Sequence, residues 1–170
     1  GESRRASPEL LDTLHDARRK QDWYREYLLS LGAEPLRFVG SLRVEMPPDR
    51  AAAVMREALG LHTDLRSRAA NWEEALRLQI AQVESHGILV LKNGVVGSNG
   101  RRKLRVDEFR GFALSDPYAP LVFLNNEDSL AAQLFTLAHE LVHIGLNQSG
   151  VSNPFETGLR NHRFEGFCNR

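Results

Sequence analysis

Between Ser129 and Gly145 the apolar residues Leu130, Leu134, Leu137, Leu141 and Ile144 recur at steps of three and four, and no other stretch restricts the fold as much. That period describes a helix with one buried stripe, which has to lie against another layer of structure. On a second face the same stretch carries His139 and His143, one turn apart, with Glu140 beside the first. Asp128 or Ser129 is placed to cap its start.

The layer beneath it is expected from the residues just upstream. Gly87 to Leu91 is a short apolar run closed by Lys92-Asn93-Gly94, a turn signal, before Val95-Val96. Phe109 to Leu114 and Leu121 to Leu124 follow, separated by Ser115-Asp116-Pro117. Short connections make these strands a small, mostly antiparallel sheet. Ahead of them the pattern is helical. Ser7-Pro8 caps and opens a helix, or two abutting ones, that continues to Gly32. Leu36 to Val44 reads as extended, Pro48 to Leu59 as a second helix, and Trp72 to Ser85 as a third with Asn71 as cap. Helices, then strands, then the motif helix give an α+β class, with residues 1–60 a helical extension and 61–170 the main domain.

Composition narrows the function. The chain has 170 residues, with 22 basic and 22 acidic side chains. Zero formal charge argues against bulk attraction to nucleic acid or an anionic membrane. The basic loop Arg101-Arg102-Lys103 and the charges of the first helix read as a solvated face, so direct nucleic-acid binding is not expected. The single cysteine, Cys168, makes an internal disulfide impossible and fits a reducing cytoplasm. No apolar run is long enough to span a bilayer. The chain opens on Gly1-Glu2-Ser3 and stops at Cys168-Asn169-Arg170 without a helix stop signal, which reads as a shortened C-terminus.

His139-Glu140-Leu141-Val142-His143 is an H-E-x-x-H sequence. Two imidazoles one helical turn apart reach a single ion about 2 Å from each nitrogen, a geometry few other helix spacings allow. About one chain in two hundred of this length carries the pattern by chance, and the amphipathic, capped helix around it lowers that further. A tetrahedral catalytic zinc needs a third protein ligand. The extended motif with a further histidine fails, because Leu146 and Ser149 stand at the required glycine and histidine. Glu165, twenty-two residues after His143 and beyond a loop long enough to reverse the chain, is a candidate, with Glu156, His162 and Cys168 as rivals. Asn169, four residues beyond Glu165, is suited to orient a ligand histidine. His162 and Tyr118 are candidate oxyanion donors.

Gly111-Phe112-Ala113-Leu114-Ser115-Asp116, Pro120 to Asn125, Phe135 to Leu141 and Glu165-Gly166-Phe167-Cys168-Asn169 together resemble the ImmA/IrrE family of metallo-endopeptidases. The resemblance runs from about Gly87 to the C-terminus. It implies a zincin-like fold, Glu165 as the third ligand beside His139 and His143, and Glu140 as general base. It also implies a divalent ion, usually zinc, and cleavage of a transcriptional repressor, of the helix-turn-helix kind, in a stress or mobile-element response. Two imidazoles and a carboxylate also suit Mn²⁺ and Fe²⁺. Leu121 to Asn125 is the expected edge strand for an extended substrate. The rival reading is a partner-binding module that keeps the fold and the metal but cuts little; retention of Glu140 argues against it.

Overall fold

The computed structural model describes residues 5–152. Ser7 accepts a hydrogen bond from the Leu10 amide and Pro8 takes the first helical position, and α1, Pro8–Ser30, runs unbroken from there. α2, Pro48–Ala58, and a short α3, Thr63–Arg68, follow. In α4, Trp72–Ser85, Asn71 accepts from the Glu74 amide at 2.8 Å, the expected cap.

The chain then enters a sheet built from β1, Leu89–Asn93, β4, Gly111–Leu114, β5, Leu121–Asn125, and β6, Gly150–Ser152, in the order β1-β5-β4-β6. β2, Val95–Val96, and β3, Asn99–Lys103, form a separate ribbon. α5, Leu130–Gly145, carries the motif. The α+β class stands, and the strands pair mostly antiparallel as expected, with one parallel pair. β4 is antiparallel to both neighbours, but β1 is parallel to β5. The local cause is the Asn93 side chain. Its oxygen accepts from the Gly94 and Val95 amides and its nitrogen donates to the Gly97 carbonyl, which steers the chain out of the sheet instead of back along β1.

Helices cover both faces of the sheet. On one, Leu10, Leu14 and Ala17 of α1 pack on Phe109, Phe112, Leu121, Phe123 and Val151. On the other, α2, α4 and α5 enclose Ala113, Val122 and Leu124. Alternate residues of β5 enter opposite cores, which is why Leu121 to Leu124 form an unbroken apolar run; the polar Asn125 that closes the strand is buried as well. β5 therefore lies inside the sheet, hydrogen-bonded on both sides, and the expectation that it is an edge strand for substrate is overturned. Among the described residues β6 is the outermost strand on the β4 side.

The stretch from Leu36 to Val44, expected to be extended, is a series of turns. Its amides are used elsewhere: Gly40 and Leu42 donate to the carbonyls of Ile144 and Gly145 at the end of α5. Those carbonyls have no partner within the helix, so the segment acts as its C-terminal cap. It sits close. A Cβ on Gly145 would lie 2.6 Å from Leu42 and 2.7 Å from the Met55 sulfur, so a side chain there does not fit.

Candidate metal centre

α5 begins with Ser129, whose hydroxyl accepts from the Ala132 amide at 3.2 Å; of the two candidate caps, this is the one used. Leu137, Leu141 and Ile144 are buried as the stripe requires, while Leu130 and Leu134 are half-buried. The helix also buries Gln133, Thr136, Glu140 and His143. It presses on β4 without a gap, since a Cβ at Gly111 would meet Thr136 at 2.7 Å and the Phe123 carbonyl at 2.5 Å.

His139 and His143 turn their Nε2 atoms toward each other, 3.1 Å apart, with ring planes 73° from parallel. Two nitrogens each about 2 Å from a tetrahedral ion lie roughly 3.3 Å apart, so this spacing is that of a metal clip. His143 is 5% exposed, and its Nδ1 is buried without a partner among the described residues. Glu140 has no exposed surface. The Ser152 hydroxyl donates to its Oε1, and its Oε2 has no partner among the described residues.

Burial governs the protonation of all three. Loss of water raises the Glu140 carboxyl to about 8, opposed by the hydrogen bond from Ser152. Burial, and then the neighbouring His139, lower His143 to about 4. Burial lowers His139 as well. Near neutral pH both imidazoles are uncharged, the form that offers a lone pair to an ion. The pocket thus gathers two lone-pair donors and a carboxyl with one oxygen unpartnered among the described residues. A divalent ion suits that donor set and would favour the charged carboxylate.

Among the described residues no group of three metal-binding side chains converges. Glu165 lies outside the described residues, as do Glu156, His162, Cys168 and Asn169. Tyr118 belongs to the β4–β5 turn, where its amide donates to Asp116, and Gln21 of α1 braces that turn at the Leu114 and Ala119 carbonyls. Arg102, in the basic loop, pairs with Glu9 and Asp12 of α1. Ser152 was missed by sequence reasoning. A three-residue strand gives too short an alternation to register, and the contact with Glu140 depends on pairing with distant β4.

Residues 83–165 match the model of a peptidase family described as the IrrE N-terminal-like domain. These residues belong to that family. The matched IrrE N-terminal-like stretch contains both histidines and Glu140, and its last residue is Glu165. No curated protein and no solved structure matches the chain. Membership bears out the resemblance to ImmA/IrrE proteins and makes this an α+β domain of peptidase type, for which a polypeptide is the natural substrate class. No helix among the described residues is long and apolar enough to cross a membrane.

Proposed function

We propose that this chain is a zinc-dependent endopeptidase that cuts a helix-turn-helix transcriptional repressor in the cytoplasm. The observation that carries the reading is the convergence of two neutral imidazoles beside a buried carboxyl with one oxygen unpartnered among the described residues. His139, His143 and Glu165 would hold the ion, the last named on the family resemblance. Mn²⁺ and Fe²⁺ suit the same ligands. When bound, the ion supplies an acidified water and an electrophile for the scissile carbonyl.

Glu140 does the proton work. Its Oε2 takes a proton from the attacking water as the oxygen–carbon bond forms, then delivers it to the departing amide nitrogen as the carbon–nitrogen bond breaks. Burial suits this role: a carboxyl whose proton affinity is raised toward neutrality both accepts and returns a proton at working pH. The unpartnered Nδ1 of His143 leaves a place for an orienting acceptor, the role expected of Asn169.

A partner-binding module with little proteolysis is the second reading. It draws on a groove between α2, α3, α4 and α5, lined by Leu61, Trp72, Leu134 and Phe135. Phe135, one turn before His139, is 71% exposed. One experiment separates the two. The chain is co-expressed with the repressor encoded beside its gene, and fragments are sought by mass spectrometry for wild type and for Glu140→Gln. Fragments from the wild type alone support the peptidase. Equal fragmentation by both proteins sinks it, and repressor capture without fragments from either favours the module.

A further inference from the structure

We propose that Ser152 is a positioning residue that aims the Glu140 carboxylate, an inference that rests on the peptidase reading above. The hydroxyl donates to Oε1 and leaves Oε2 as the oxygen available to a water proton. A glutamate on a helix turns about several side-chain bonds, so a base supported only by its own backbone samples many directions. Here the second support comes from another element. Ser152 sits on β6, opposite Gly111 of β4, and α5 lies against the same strand. The carboxyl is therefore fixed both from its own helix and from the sheet.

β6 is itself firmly placed. The Arg110 amide donates to the Ser152 carbonyl at 2.8 Å, and the Ser115 amide donates to the Ser149 hydroxyl at 2.9 Å. Val151 points into the aromatic core, 1% exposed. Strand alternation then turns Gly150 and Ser152 toward α5. A Cβ on Gly150 would meet no atom of the described residues within 4 Å.

Stability alone does not account for the contact. A hydrogen bond to a charged group recovers only part of what burying a carboxylate costs. An apolar pair at these positions would serve the core better. The contact makes sense as a means of placing a reactive oxygen.

The test uses the zinc-loaded chain and its Ser152→Ala and Ser152→Thr variants. The probe is a fluorogenic peptide spanning the bond cut in the co-expression experiment. Ser152→Ala is expected to lower kcat about 10- to 100-fold, the loss typical of outer partners at metal sites, with KM and zinc affinity unchanged. Ser152→Thr, which restores a hydroxyl, recovers most of it. A second readout needs no turnover. In zinc-free protein with glutamates labelled at the side-chain carboxyl carbon, the Glu140 resonance is identified by its loss in Glu140→Gln. It should move in Ser152→Ala and return in Ser152→Thr. An unmoved resonance overturns the proposal, as does a moved one with unchanged kcat, or a fall in zinc affinity that matches the fall in kcat. A wild type that cuts nothing while the resonance still moves retires the peptidase reading, and with it the purpose assigned to the contact.

Discussion

The two faces of the sheet are built to different rules. The face under α1 is sealed with rings: Phe109, Phe112 and Phe123 lie within 4.8–6.2 Å of one another, and the last two stack nearly parallel. The face under α5 buries Gln133, Thr136, Glu140 and His143 among its leucines. Aromatic packing stabilises by area and geometry alone, while buried polar groups cost free energy unless each finds a partner. Among the described residues, three of the five unpartnered buried side-chain atoms belong to Gln133, Glu140 and His143 of α5. One face is therefore spent on holding the domain together, and the other accepts a less stable core so that reactive groups can be kept dry. Local cost of this kind is what a site for chemistry looks like.

That contrast can be broken from either side. Glu140→Gln, which keeps the shape of the buried side chain, should lower cleavage by about 10²- to 10⁴-fold while the urea midpoint holds or rises. A drop in both would mean that the carboxyl serves the fold. Phe112→Ala does the reverse. It should cost about 3–5 kcal/mol in chemical denaturation and leave zinc affinity per folded molecule unchanged. Altered zinc affinity would show that the faces are coupled.

A pH titration sharpens the same point. In zinc-free protein Glu140 holds its proton up to about 8, while an ordinary glutamate loses it near 4.5, so stability is lost as pH rises between those values. His143, lowered from 6.5 to about 4, makes stability fall in the other direction, as pH drops below 6.5. The two slopes oppose each other between 4.5 and 6.5. From 6.5 to about 8 the carboxyl acts alone, and stability should decline by on the order of 1 kcal/mol per pH unit. Glu140→Gln should flatten that limb; a slope that survives it assigns the titration elsewhere. The smallest effect belongs to the α1 face. Ser7→Ala removes a cap that also bonds Glu108, and should cost about 1 kcal/mol by thermal denaturation without touching cleavage.

What could be read from the sequence was what is written locally. The caps Ser7 and Asn71 and the helix they begin depend on residues three apart, and the family signature lies in short contiguous runs. Pairing is not written that way. The turn after β1 resembled a hairpin, but the Asn93 side chain takes up the amides that a hairpin would have used. For β5 the signal was present, since four consecutive apolar residues, Leu121 to Leu124, announce a strand covered on both faces. Half of the site followed the same division. The spacing of His139 and His143 is a property of one helix and was legible. The contact of Ser152 with Glu140 joins two elements through the sheet, and no window of sequence contains its cause.

The turns from Leu36 to Met46 reach the tail of α5 from about a hundred positions upstream. A recombinant piece trimmed to residues 83–165 would keep His139, His143 and Glu165. It would also strip the Gly145 carbonyl of its Leu42 donor, leave the Ile144 carbonyl with the Asn147 amide, and uncover the phenylalanine layer. The motif helix is thus anchored by sequence that the family signature does not include.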